Sequence, residues 1–229
     1  MEHGFTWYGL VGLGHVPHWV VGAGFVFLVL TTLSLLFYRA IQKRDSLLIP
    51  DRGFSLINVF DVSVEKLLGL SESVMGHEGR KFFPLMGALF IYIFMSNLLG
   101  VIPGFLPPTD NLNTNVACSL TVFLYYNIQG FREHGIKYLK QFMGPILWLA
   151  PVMVVIELVS HVVRPISLSI RLFGNINGDH MVLGIFSGLI PIGVPIIFLF
   201  LGLFVSFIQA FVFTLLSMVY VSLATSHDH

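Results

Sequence analysis

Residues 196–226 hold no charged side chain, and their polar content includes Ser206, Gln209, Thr214 and Ser217. As one helix, this run would be about 46 Å long at about 1.5 Å per residue. A bilayer's hydrocarbon core is about 30 Å thick and needs about 20 apolar residues. A helix of this composition cannot lie on a water-facing surface, and it is too long to cross a membrane upright. It is either strongly tilted or broken. The whole chain is consistent with this: 55% of its 229 residues are hydrophobic, 10% are charged, and the mean hydropathy is +0.85. Soluble domains carry about 25% charged residues. A water-exposed surface cannot be built from so few charges, so the fold class is an all-α integral membrane protein. The 12 basic and 12 acidic residues cancel, leaving no basic excess of the kind nucleic-acid binders show. A single cysteine, Cys118, excludes an intrachain disulfide framework and a multi-cysteine metal site.

The rest of the chain divides into spans by the same reasoning. Residues 1–17 have no Lys or Arg and no small-residue cleavage site follows the apolar run, so a removable signal peptide is not expected. Residues 19–38 form the first span, uncharged, with Trp19 and Tyr38 at its ends where interfacial aromatics belong. Within 53–75, Ile57, Phe60, Val64, Leu67 and Leu68 recur at helical spacing, with Asp61, Glu65 and Lys66 on other faces. That pattern predicts an amphipathic helix lying on the membrane surface. Residues 82–131 form a helical hairpin: a span over 82–105 with Pro84, Gly100 and Pro103, a Pro/Gly/Asn-rich turn over 107–115, and a return over 116–131. Residues 142–226 are two long helical segments, each either strongly tilted or broken, joined by a turn over 188–195. The count is five membrane crossings and one surface helix, in a single membrane domain spanning 1–229. Seven of the twelve basic residues fall within 39–81, and Arg132, Lys137 and Lys140 follow the return helix. The positive-inside rule then puts 39–81, 132–140 and the C-terminus in the cytoplasm, and the N-terminus and 107–115 outside.

Residues 142–189 are apolar but contain Glu157, His161, Arg164, Arg171, Asp179 and His180. An ionised group inside a span costs about 2.5–3.5 kcal/mol on insertion scales. At about 100° per residue, with Arg171 as zero, Arg164 falls near +20°, Glu157 and Asn175 near +40°, Ser160 and Gly178 near −20°, and Ser167 near −40°. A polar stripe roughly 80° wide therefore runs along a helix whose remaining circumference is mainly Val, Ile, Leu, Met and Phe. Arg171 does not deprotonate, so it acts as a fixed charge that attracts carboxylates and repels cations. Asp179 lies about 12 Å along the axis and Glu157 about 21 Å. No partner of its own is evident, and a buried charge without one is heavily penalised. The counter-charge is expected on another protein. Asp179 and His180 lie toward one end of the segment, Glu157 and His161 toward the other. This arrangement suits two aqueous pockets, one open to each side, with Arg171 as the barrier between them.

Structural explanations compete at several positions. Arg164 could snorkel to the interface, a serine of the stripe could bond back to its own helix, and His161 or His180 could be packed rather than on a pathway. No facing histidines suggest haem ligation, no HExxH motif is present, and Gly12–Gly14 does not begin a dinucleotide-binding motif.

The run Pro165-Ile-Ser-Leu-Ser-Ile-Arg-Leu-Phe-Gly-Asn175, followed by Gln209-Ala-Phe-Val-Phe213, resembles the a subunit of rotary F-type ATP synthases. Asn97-Leu-Leu-Gly-Val-Ile-Pro103 and the Asn-rich segment after it resemble that family's hairpin. The resemblance covers roughly residues 50–226. It implies a proton-translocating stator that offers two half-channels to the carboxylates of a rotating ring of c subunits. Peripheral-stalk b subunits and the rest of the ATP synthase would be its partners, in a bacterial inner membrane. Arg171 matches the family's essential arginine. Asn175 and Gln209 match polar residues near it, and Glu157 and Ser167 match proton-path positions. In relatives, a titratable residue shortly after the first run is complemented by another on the last helix. Here the first position holds Asp179-His180, but the second is Gly202. That departure leaves the inlet assignment open, with Asp179 and His180 supplying both groups from one helix as one solution. The resemblance implies no cofactor, no metal and no catalysis by the chain alone. No phosphate-binding loop is present, so no nucleotide is expected to bind. The rival reading is a self-contained transporter using Arg171 to hold an anion. It would need inverted repeats and an intrachain carboxylate facing Arg171.

Overall fold

The computed structural model describes residues 7–10, 15–42, 56–102, 104–136, 138, 150–189 and 194–225. Within these, the chain forms seven α-helices: α1 (Trp7–Leu10), α2 (His18–Gln42), α3 (Leu56–Met75), α4 (Gly79–Val101), α5 (Leu112–His134), α6 (Ala150–Leu189) and α7 (Val194–Thr225). Short 3-10 turns at Gly76–Glu78 and Pro108–Asp110 precede α4 and α5. The first residues expected in the surface helix (53–55), the start of the last helical pair (142–149) and the middle of the last turn (190–193) lie outside the described residues, as do Lys43, Arg44, Lys137, Lys140 and Ser226.

Four helices are long and apolar enough to cross a membrane, over His18–Arg39, Gly79–Val101, Pro151–Phe186 and Ile196–Thr225. The fifth, α5, has 23 residues, enough for about 34 Å, but is more polar because Thr114, Asn115, Ser119 and Gln129 face the interior. Both long helices are continuous, α6 over 40 residues and α7 over 32. Of the two alternatives for the length anomaly, a break is therefore absent from the described residues. Pro165 is accommodated inside α6.

Many of the polar side chains within the spans point inward, and many large apolar ones point outward. On α7, Ser206, Gln209, Thr214 and Ser217 are all buried, while Phe200, Leu201, Phe204, Phe207 and Ile208 are exposed. Lipid is as apolar as leucine, so it exerts no hydrophobic drive to bury leucine. It does penalise unsatisfied polar groups, which therefore turn toward one another. α7 runs alongside α3, α4, α5 and α6. It shares with them a core that includes Phe82, Met86, Ile93, Val122, Leu172, Phe213, Met218 and Val221.

The surface helix α3 turns directly into α4. Gly76 takes a positive φ of 64°, open to glycine without steric cost. Ser71 Oγ donates to the Gly79 carbonyl at 2.9 Å. A Cβ at Gly79 would stand 2.5 Å from the Ser71 carbonyl oxygen, so only glycine fits the elbow. Ile57, Val64, Leu67 and Leu68 are half-buried as the spacing predicts. Phe60 is largely exposed, yet it meets Phe37 of α2 at 4.8 Å between ring centres. Around this end of the bundle Arg80 pairs with Glu72, and Lys81 pairs with Glu78 and, at 2.6 Å, with Glu133.

At the opposite end, the N-terminal residues clasp the turn between α4 and α5. Trp7 N donates to the Gly104 carbonyl, and Tyr8 Oη donates to that of Leu106. Burial, aided by the nearby Asp110 carboxylate, pushes the Tyr8 phenol up to about 12, so it stays a donor. His18 Nε2 lies 3.0 Å from Asp110 Oδ1.

Candidate functional site

The buried seam of α6 is made by His161, Leu168, Ser169, Leu172 and Ile176, which fall at about +60° to +160° from Arg171. Its exposed flank includes Val159, Val163, Ile166 and Ile170. The polar stripe lies between the two. Arg171, Arg164, Glu157, Ser160 and Ser167 are half-buried, and Asn175 is exposed. The stripe thus follows the edge where the packed bundle meets an open apolar face. A residue there can reach a molecule passing outside.

Arg171 makes no salt bridge or hydrogen bond among the described residues. Asn175 does have a partner: its Nδ2 donates to Gln209 Oε1 across the α6–α7 interface at 2.6 Å. Gln209 is 2% exposed, and its Nε2 has no protein partner among the described residues. Ser160 and Ser167 form no bond to their own helix there. Ser169, off the stripe, does so, donating to the Pro165 carbonyl at 2.8 Å and meeting Ser119 Oγ of α5 at 2.6 Å.

At one end of α6, Glu157 Oε1 lies 3.5 Å from Arg164 Nη2. The Arg164 guanidinium carbon sits 5.4 Å from the centre of the Tyr220 ring on α7. Arg164 therefore has an ion pair and an aromatic face here. His161 is 7% exposed and packed. Asn127 gives its Nδ2 to the Phe123 carbonyl, which turns its Oδ1 toward His161 Nε2 at 2.9 Å and Tyr138 Oη at 3.3 Å. Because an amide oxygen only accepts, His161 carries its proton on Nε2. Burial raises the pKa of the Tyr138 phenol, keeping it a donor in the same cluster.

At the other end, Asp179 and His180 diverge. The Asp179 carboxylate meets α7 at Gly202, and the His180 imidazole meets α4 at Gly100. His180 therefore faces a different helix from the one that carries Gln209.

Several polar residues escaped the sequence reading. Thr109 Oγ1 donates to Asn97 Oδ1 at 2.7 Å, and Asn115 Nδ2 donates to the Thr109 carbonyl at 2.9 Å. Asn177 Nδ2 donates to the Asp110 carbonyl at 3.0 Å, tying α6 to the turn that His18 holds from α2. The Asn-rich turn was the available signal, but its connection to α6 requires tertiary structure. Asn97 Nδ2 and Asn115 Oδ1 are buried without a protein partner among the described residues.

Among the described residues, no three His, Cys, Asp or Glu side chains gather as a metal site would need. The carboxylate facing Arg171 that an anion transporter would require is likewise missing among them.

A family model described as ATP synthase A chain matches residues 23–222. ATP synthase subunit a of Bdellovibrio bacteriovorus is 46% identical over 227 residues, covering 98% of this chain and 99% of that protein. ATP synthase subunit a of Trichlorobacter lovleyi is 46% identical over 204 residues, covering 89% and 85%. That of Geobacter sulfurreducens is 49% identical over 172 residues, covering 75% of each.

Proposed function

The chain belongs to the ATP synthase A chain family, and from that premise we propose that it is the proton-translocating stator of the synthase's membrane sector, with Arg171 as its electrostatic gate. The observation that carries this reading is the guanidinium of Arg171, half-buried at the edge of an exposed apolar face and without a counter-charge among the described residues. A fixed cation there is suited to pair transiently with carboxylates carried past on a ring of c subunits. Arginine suits the role because it stays charged and presents a planar fork to a carboxylate.

Protons reach the ring through an inlet at the Asp179–His180 end and leave at the Glu157 end. Asn175, Gln209 and Ser167 line the approach to Arg171. The buried, unpartnered amide atoms of Asn97, Asn115 and Gln209 support a wet interior, since buried polar atoms are normally satisfied by protein or water. The N-terminus and the 107–115 turn face outward, and the ion-paired rim of Glu72, Arg80, Lys81 and Glu133 faces the cytoplasm. The chain is no enzyme by itself. It works with the c-ring, peripheral-stalk b subunits and the soluble sector in a bacterial inner membrane, and flow through it drives rotation and ATP synthesis elsewhere.

The test is ATP-driven acidification of inverted membrane vesicles, comparing wild type with Arg171→Ala at matched assembly. Pumping is expected to disappear. Pumping near the wild-type rate would refute the gate.

A further inference from the structure

Asp179 and His180 are consecutive, so they leave α6 about 100° apart. Each meets a glycine on a different helix. A Cβ on Gly202 of α7 would stand 2.9 Å from Asp179 Oδ2, with Val101 Cγ2 of α4 at 3.9 Å. A Cβ on Gly100 of α4 would stand 3.0 Å from His180 Nε2 and 2.8 Å from Pro107 Cγ. Both separations are shorter than carbon tolerates without a shift. The glycines of α6 behave differently: Gly174, Gly178, Gly184 and Gly188 have open space where a side chain would go. The volume left empty at Gly202 of α7 is where the carboxylate sits, and that at Gly100 of α4 is shared by the Pro107 ring and the His180 imidazole.

Resting on the reading of Asp179 and His180 as inlet groups, we propose that Gly100 and Gly202 are positioning residues of that inlet. Their lack of side chains seats an α6 carboxylate against α7 and an α6 imidazole against α4, so one helix supplies both titratable groups. The surroundings make the placement matter. α7 has no Asp, Glu, Lys, Arg or His over residues 194–225. The charged residues of α4, Arg80 and Lys81, lie at its far end, and its Tyr92 is two turns from Gly100. The 3-10 turn beside α6 contributes Asp110, paired with His18 of α2. On α6 itself the next charge is Arg171. Beside the Asp110–His18 pair, Asp179 and His180 are the carboxylate and imidazole that this part of the interior offers to a proton among the described residues. A larger residue at 202 would push the carboxylate back along α6 and out of register with the path.

The experiment measures ATP synthesis by the whole complex in proteoliposomes, at fixed membrane potential, as a function of pH in the compartment facing the outer side. The variants are Gly202→Ala and Gly202→Val, each alone and combined with Asp179→Ala, with Asp179→Ala and His180→Ala measured singly. Displacing a reacting group by about 1 Å can cost up to about a hundredfold. The expected result is a loss of about tenfold for Gly202→Val, a smaller loss for Gly202→Ala, and a moved outer-side pH of half-maximal rate in both. With Asp179→Ala already present, either change at 202 should add nothing. If Asp179→Ala is impaired while Gly202→Val keeps the wild-type rate and pH profile, the positioning role is wrong and the inlet reading stands. A loss at 202 of equal size with and without Asp179 also overturns it, since packing alone would then explain the effect. If Asp179→Ala and His180→Ala both retain full rate, the inlet reading fails and this proposal fails with it. Gly202→Ala adds one carbon and serves if Gly202→Val does not assemble.

Discussion

Removing the charge at position 171 should open a passive proton leak whose size follows from the surroundings of that residue. A hydronium ion passing along α6 would come within about 5 Å of the guanidinium. At an effective dielectric constant of about 20, two like charges at that distance repel by about 3 kcal/mol, a factor of about 200 in rate. A carboxylate in contact with Arg171 would cancel most of this; none pairs with it among the described residues of this chain, so the repulsion acts in full whenever no ring carboxylate is engaged. The leak in Arg171→Ala vesicles should therefore rise by up to about two orders of magnitude. Arg171→Lys keeps the charge and should leave the leak near wild type. It should still slow ATP-driven pumping, because an ammonium lacks the planar fork that meets a carboxylate through two parallel bonds. The assay is the decay of an imposed pH gradient in vesicles with the soluble sector removed, normalised to assembled complex and read with a fluorescent pH dye. An Arg171→Ala leak equal to wild type would refute the electrostatic argument, whatever happened to pumping.

Asn175→Leu leaves Gln209 Oε1 without its donor in a buried site and should cost about 1–3 kcal/mol, whereas Asn175→Leu with Gln209→Leu removes both groups and should recover most of it. Heat-induced release of the subunit from the solubilised complex would measure this, and a double variant less stable than the single would contradict it. His161→Phe should lower the same release temperature by weakening the Asn127–Tyr138 cluster while leaving pumping near wild type; normal assembly with lost pumping would instead put His161 on the proton path. Gly79→Ala forces a Cβ against the Ser71 carbonyl and should cost about 1–3 kcal/mol, seen as reduced complex in membranes, and wild-type accumulation would show that the elbow can relax. Cys118, at 7% exposure, should resist maleimide in intact membranes and react after denaturation in detergent.

Composition and charge periodicity alone determine that the chain lives in a bilayer, how many times it crosses, and which helix carries the polar stripe. Lipid allows few arrangements, so each apolar run and each intramembrane charge is informative by itself. The isolation of Arg171 was readable because the other helices have no acid at its depth. The resemblance of Pro165–Asn175 and Gln209–Phe213 to a known family pointed to the stator. Local periodicity could not say which helix each side chain meets. Asp179 and His180 look like neighbours in sequence, but packing sends one to Gly202 and the other to Gly100. A glycine's role is legible only from what occupies the space its side chain would have filled. The packed state of His161 and the link from His18 through Asp110 to Asn177 are similarly decided by distance in space. The pairs across helices join residues 34 to 92 positions apart, and no pattern with a period of a few residues can encode separations that only packing of the bundle closes.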